Sequence, residues 1–282
     1  MIMRQSLFFC HALACIASLF FVVETAAANE QSQHVTLCQP QFAHEGEAIR
    51  VTGPNSILLH DGSEVVLAGI LMPTALDLPV RTIEWKAEQN AASALAQLVV
   101  GQTLKYATVR KRRDRYGRQH VHAFLETAER RRWIQSVMVE LGHARVAAEN
   151  LSNACARELL KREEEARSQR LGLWRNAGYG VRSANKPWHL LRYRGSYQIV
   201  EGIVSEVTQL RSKIFINFGK NKHKDFTAGI FGRLAKTARI NGQTLDSLRN
   251  KRIRISGWIS WRGGPFIRVR KIAQISLAEA AS

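Results

Sequence analysis

Apolar and polar positions change period along this chain, and each change marks an element. Between residues 48 and 70 apolar residues come in short runs: Ala48, Ile49 and Val51, then Ile57-Leu58-Leu59, then Val65-Val66-Leu67. Runs of this length, rich in branched side chains, predict strands. Asp61-Gly62 lies between two of them and has the chemistry of a hairpin turn. Pro73 and Pro79 bracket a loop. Ala87, Ala91, Leu95, Leu98 and Val99 then recur at helical spacing, which predicts a helix over residues 84–99. Strands follow over 103–109 and 120–125, flanking a basic loop at 110–118. A short helix over 133–141 stops at Gly142, and a longer charged helix over 153–170 stops before Gly172.

A second pattern begins at Tyr197. Before it, residues 177–195 contain Gly178, Gly180, Pro187 and Gly195 and read as a linker. Strand-like runs cover 197–207, 213–218, 226–230, 252–261 and 265–269, with a short helical stretch at 244–249 between the third and fourth. Three strands, a helix and two strands is the order of a small five-stranded OB-type barrel. The expected organisation is therefore a domain over 48–176, the linker, and an OB-like domain over 196–279. The expected class is mainly β with helices, an α+β protein.

The N-terminus carries a different signal. Arg4 precedes an apolar run at residues 7–23, and Ala26-Ala27-Ala28 follows. This is the pattern of a secretory leader over 1–28 with cleavage near Ala28, which places the protein in the periplasm or outside the cell. An uncleaved anchor is the alternative, because the run nearly reaches membrane-spanning length. Loss of the leader removes Cys10 and Cys15 and leaves Cys38 and Cys155. Two cysteines in an oxidising compartment have one intramolecular pairing available. Two buried thiols are the simpler alternative.

Composition removes some classes and adds one. The 282 residues are 45% hydrophobic and 23% charged, which excludes a disordered tail, a collagen or a polytopic membrane protein. Lys plus Arg number 41 against 23 Asp plus Glu, a formal charge of +18. Such a chain prefers polyanions: nucleic acid, anionic membrane or acidic polysaccharide. The excess is uneven. Residues 186–282 hold 19 Lys plus Arg and 5 Asp plus Glu, a balance of +14, so the polyanion argument belongs mainly to the C-terminal part.

Four motifs stand in order across residues 48–176: Leu67-Ala68-Gly69-Ile70, Asp114-Arg115-Tyr116-Gly117-Arg118, Leu141-Gly142-His143-Ala144-Arg145-Val146, and Ala166-Arg167 with Gly172-Leu173-Trp174. Together they resemble the staphylococcal nuclease-like (thermonuclease) family. The resemblance implies a five-stranded OB barrel with three helices and calcium-dependent phosphodiester cleavage. In that chemistry carboxylates hold a hard cation, a carboxylate helps generate the attacking water, and two arginines stabilise the developing phosphoryl charge.

This chain departs from the family pattern at nearly every chemical position. Asn55 stands where the turn supplies a metal carboxylate, and Leu71 where the second metal carboxylate belongs. Val66 replaces one arginine and Thr74 the general-base glutamate; Arg118 alone matches. An oxygen-bound dication without a first-shell carboxylate is a poor fit. The expectation is an impaired catalyst with no metal site and no cofactor. The alternative is a working calcium nuclease in which Asp61, Glu64 or Asp77 substitutes.

Binding residues are expected in two places. The loop residues Arg112, Arg113, Arg115 and Tyr116 border the substrate phosphate in the family. In the second domain Arg252, Arg254 and Trp258 alternate with Ile253, Ile255 and Ile259, and Arg268 and Arg270 alternate with Ile267 and Val269. Arginines around an aromatic on one barrel face suit single-stranded nucleic acid. The domain also looks like the small C-terminal domain that follows some bacterial nuclease-like domains. A non-enzymatic envelope protein that binds anionic surface polymer is the third reading. His120 and His122 share a strand face without further ligands at metal spacing, and Glu163-Glu164-Glu165 reads as a solvated helix face.

Overall fold

The computed structural model describes residues 38, 40–74, 77, 86–109, 113–127, 131–221 and 223–278. The expected leader, Arg112 and Pro79 lie outside them. Residues 36–282 cluster as one compact unit, with separate apolar cores under its two larger sheets.

The first sheet is built from β1 (His44–Gly53), β2 (Ser56–Leu59) and β3 (Glu64–Leu67). After β4 (Ile70–Leu71) and helix α1 (Lys86–Val99) come β5 (Thr103–Thr108), β6 (Gln119–Glu126) and β7 (Arg131–Trp133). Strand order is β3-β2-β1-β5-β6-β7, and parallel pairing of β3 with β6 closes five strands into a barrel. Helix α2 (Ile134–Glu140), β8 (Arg145–Val146) and α3 (Asn153–Ser168) complete this part. The expected helical stripe is the buried face of α1: Ala91, Leu95 and Val99 pack on Ala48, Leu59 and Leu104 in the core. Cutting Leu95 to Ala costs about 2–5 kcal/mol at such a site.

The motif glycines have steric reasons. Gly69 has φ +75°, and a Cβ there would meet Leu151 Cδ2 at 2.1 Å. Gly142 and Gly172, both at positive φ, lie backbone on backbone, so a Cβ on Gly142 would meet the Leu171 carbonyl oxygen at 2.3 Å. Two motifs far apart in sequence are thus one contact in space. Cys38 and Cys155 form a disulfide with Cα atoms 4.4 Å apart, and Ser152 caps α3 by accepting from the Cys155 amide.

Residues 177–195, expected as a linker, carry short elements: β9 (Arg182–Ser183) and α4 (Pro187–Leu191). The second sheet continues with β10 (Tyr197–Ile203), β11 (Glu206–Leu210), β12 (Lys213–Asn217) and β13 (Thr227–Phe231). Helix α5 (Arg233–Thr237) precedes β14 (Arg252–Trp261), β15 (Pro265–Val269) and β16 (Ile275–Leu277). Order is β11-β12-β13-β15-β14-β10-β9, with β16 on β14. The sheet is barrel-like but not closed. The expected strand at 197–207 divides at Val204-Ser205. Its first half pairs with β14 and its second with β12. The Ser205 amide and hydroxyl both bond the Asn217 carbonyl there, which turns the chain out of the first ladder. The expected helix at 244–249 is a single 3-10 turn, Leu245–Leu248.

Candidate functional site

The first domain's candidate cleft lies where the β1–β2 turn, β4 and the segment after it converge. Asn55 occupies the turn, and its Nδ2 donates to the carbonyls of Leu67 at 3.2 Å and Ile70 at 3.5 Å. It ties the turn to the strand end. Val66 is buried opposite Ser56 on β2. Leu71 brings only hydrocarbon. The Thr74 amide donates to Asp77 Oδ2 at 3.1 Å.

The three acids that stood as substitutes all have structural partners. Asp61 Oδ1 accepts from the Ser63 amide at 2.9 Å inside its own turn, and Glu64 accepts from Thr52 Oγ1 at 2.5 Å. Asp77 pairs with Arg145 Nη2 at 3.0 Å and accepts from the Tyr179 hydroxyl at 3.1 Å. Among the described residues it is the one acid lining the cleft cavity, and its charge is already met by a buried guanidinium.

Arg118 is oriented by its own motif. Asp114 accepts from the backbone amides of Tyr116 at 2.9 Å and Arg118 at 3.0 Å, and from Arg118 Nε at 2.9 Å. Desolvation alone would raise the Asp114 carboxyl; the Arg118 amide and guanidinium and the Tyr116 amide outweigh it and hold it at about 2. Arg118 Nη1 donates to Ser56 Oγ at 3.1 Å. Beside it Tyr116 is 64% exposed, with Arg115 and Arg118 at 4.7 and 4.9 Å from its ring centre. Arg113 bonds the Gly117 carbonyl at 2.8 Å. The loop thus gathers two of the expected basic residues, Arg115 and Arg118, around one tyrosine.

The second sheet closes the far side of the cleft. A cavity of about 380 Å³ is lined by Pro54, Asn55, Leu71, Met72, Thr74 and Asp77 from one side and by Gly195, Ser196 and Trp258 from the other. Trp258 Nε1 donates to Glu149 Oε1 at 3.2 Å, and its ring meets Tyr197 edge-on at 5.8 Å. Arg145 Nη1 reaches the Tyr197 carbonyl at 2.6 Å, and the Tyr197 hydroxyl returns a bond to the Val146 carbonyl at 2.8 Å. Burial raises the Glu149 carboxyl and pushes the Tyr197 and Tyr179 hydroxyls far up, so both phenols stay neutral.

The expected row on β14 therefore meets the first domain. Arg254 pairs with Glu201 at 2.7 Å on β10 and with Glu164 at 2.9 Å on α3; Arg252 pairs with Glu201 at 3.3 Å. Ile253, Ile255, Ile259, Ile267 and Val269 all point into the second core, as the alternation required. Arg268 on β15 and Arg270 just past its end are exposed. Glu163, expected on a solvated face, is 5% exposed. Burial pushes its carboxyl up to about 7, against the Val146 amide, which donates to it at 2.6 Å.

Residues 64–176 match the family model described as staphylococcal nuclease homologue. The chain carries a staphylococcal nuclease-like domain. The match begins at β3 and ends past α3, so it includes Val66, Leu71, Thr74 and the Asp114–Arg118 loop but not Asn55. A comparison with curated proteins found no match. Among the described residues no helix is long and apolar enough to cross a membrane.

His122 of this nuclease-like domain packs edge-on to Trp133 at 5.4 Å. Its ligating atoms lie within 4.8 Å of the Cys38 and Cys155 sulfurs. Both sulfurs are spent in the disulfide, so the cluster holds no thiolate while that bond stands. Desolvation lowers the His122 ring to about 4. Sequence reasoning missed Arg145 and Glu149, which form the seam between the two sheets.

Proposed function

We propose that this protein is a secreted or periplasmic nuclease-like protein that binds nucleic acid and does not cleave it efficiently. The observation that carries this reading is the cleft: Asn55, Val66, Leu71 and Thr74 supply no carboxylate, and Asp77 is held by Arg145 and Tyr179. A hard dication needs several oxygen ligands with compensating charge. The Asn55 amide is engaged as a donor to two carbonyls, and Leu71 has no donor atom. These residues do not fit calcium, so we derive no metal-assisted step.

The rest of the machinery is equally short. Loss of a preorganised donor costs about 10²–10³ in rate, and loss of a general base about 10²–10⁴. Arg118 remains, yet its guanidinium is committed to Asp114 and Ser56. Trp258 lines the same cavity, where a phosphodiester would need to enter. The balance of +14 over residues 186–282 supports a polyanionic ligand. The pattern Arg4, apolar 7–23, Ala26-Ala27-Ala28 supports export with cleavage near Ala28.

One assay tests the reading. The purified protein is incubated with DNA and with RNA, in calcium and in chelator, and both cleavage and gel retardation are scored. Retardation without calcium-dependent cleavage is expected. Chelator-sensitive degradation that Arg118→Ala abolishes would restore the calcium nuclease.

A further inference from the structure

The outer face of the second sheet holds an aromatic cluster that the expected row on β14 does not include. Alternation on β12 sends Ile214 and Ile216 into the core and Phe215 outward; on β13 it sends Ala228 and Ile230 inward and Phe231 outward. On β15 Phe266 and Arg268 share the side opposite Ile267, Phe266 buried at 5% exposure and Arg268 exposed. Phe231 meets Phe215 edge-on at 5.8 Å and Phe266 at 6.3 Å.

The rings rest on bare backbone. Gly229 sits between Phe215 on β12 and Arg268 on β15 in the register. A Cβ on Gly229 would meet Phe266 Cζ at 2.4 Å and Phe231 Cε2 at 2.9 Å, so the absence of a side chain lets both rings lie down on the sheet. Two guanidiniums border them. Arg268 is 5.1 Å from the Phe231 ring centre, and Arg262, from the β14–β15 turn, is 5.5 Å from Phe231 and 5.7 Å from Phe266.

These arginines differ from those on β14. Arg252 and Arg254 are neutralised by Glu201 and Glu164. Arg262 and Arg268 are exposed and have no carboxylate partner among the described residues. Lys213, opposite Phe231 in the register, is exposed beside them. A face with two part-exposed rings, Phe215 and Phe231, beside unneutralised cations offers stacking and phosphate contacts together.

We propose that this face, centred on Phe231 and bordered by Arg262 and Arg268, is a binding platform for single-stranded nucleic acid. The proposal rests on the nucleic-acid-binding reading above and locates its site. Bases stack on Phe231 and Phe215, the part-exposed rings of the cluster, with Phe266 buried beneath as support, and the guanidiniums that border Phe231 neutralise the adjoining phosphates. A single strand suits the face because its bases are free to leave their own stack. A duplex presents phosphates alone. The strand face of OB-type barrels is a general place for such contacts.

The test uses the whole protein and a fluorescent thymidine homopolymer of about 15 nucleotides, within the range of OB-type sites. Affinity is read by anisotropy across a salt series. Phe231→Ala is expected to weaken binding roughly 5- to 100-fold; Phe231→Leu, which keeps an apolar group over Gly229, guards against a folding defect and is expected to weaken it in the same direction. Arg268→Gln is expected to lower the salt slope by about 0.7 per lost contact. Wild-type binding that both Phe231 variants leave unchanged overturns the platform and leaves the general polyanion reading standing. Equal competition by heparin or by phosphatidylglycerol vesicles, insensitive to the Phe231 variants, also overturns it. No binding of the wild-type protein to any oligonucleotide overturns both readings.

Discussion

The indole N–H of Trp258 donates to the Glu149 carboxylate at 3.2 Å, and so joins strand β14 to the turn that follows β8. The same ring forms part of the wall facing Asn55 and Leu71. The cleft between the β1–β2 turn and β4 is thus walled on its far side by the neighbouring sheet. Removing the indole adds no carboxylate to the cleft. Trp258→Ala is therefore expected to open the cavity without creating calcium-dependent cleavage of DNA or RNA, read as acid-soluble nucleotide release. The variant still carries the Tyr197–Val146 and Arg145–Tyr197 bonds, so the seam should persist.

Glu163 gives a pH dependence with a defined sign. Its carboxyl titrates near 7 in the folded protein, against an ordinary value of 4.5. Between these values the unfolded chain releases the proton that the folded protein keeps. The contribution is full below about pH 4.5 and is lost as pH rises through 7, a change of roughly 3 kcal/mol. Arg145, Arg167 and Glu164 act on it from nearby, and the two arginines oppose the shift. Glu163→Gln keeps an acceptor for the Val146 amide. It is expected to raise stability at pH 8 relative to wild type and to flatten the difference curve below pH 5, as measured by urea unfolding at each pH. A difference curve with no slope between pH 5 and 7 would count against the buried acid.

The Cys38–Cys155 bridge spans 117 positions. On the chain-entropy model a loop of that length contributes about 4–5 kcal/mol. Replacing both cysteines with alanine is expected to lower the urea midpoint accordingly. The unreduced, denatured wild-type protein should not react with a thiol reagent at Cys38 or Cys155. Labelling of both positions would mean the bridge is absent in solution.

Arg145 is 4% exposed at its side chain and holds Asp77 on one hand and the Tyr197 carbonyl on the other. Its guanidinium also lies 4.8 Å from the Tyr179 ring. Arg145→Met leaves Asp77 without its cation and is expected to cost about 3–5 kcal/mol. Arg145→Lys should recover little, because a point charge cannot serve two partners on opposite sides of a planar group. Urea unfolding of the two variants beside wild type checks both statements.

Much of the architecture is legible in the chain, for physical reasons. Ile253, Ile255 and Ile259 alternate because a strand has two faces, and that alternation names the core side without help. The Asp61-Gly62 turn and the helical stripe on α1 are equally local. What alternation does not name is the neighbour of the other face. Arg254 and Trp258 were placed on an outward face correctly in register, but their partners are Glu164 and Glu149, far away in sequence. The same rule applied to β12 and β13 would have put Phe215 and Phe231 outward. Phenylalanine there reads as core until the isoleucines beside it are counted. Glu163 shows the converse error: three acids in a row suggest solvent, yet one of every three or four helix positions faces inward. The division of the strand at Val204-Ser205 depends on Asn217 from another strand, so no local pattern announces it.

The bridge between Cys38 and Cys155 closes the first barrel into a covalent ring, while the second sheet is joined to that ring by a single run of backbone. A protease that cuts once inside the ring leaves a molecule of unchanged mass on a non-reducing gel, apart from one added water. A cut after α3 gives two fragments on the same denaturing, non-reducing gel. The two halves of this chain therefore record damage differently. Nicks in the first accumulate unseen until a reductant arrives, whereas a nick between the halves registers at once as a loss of mass.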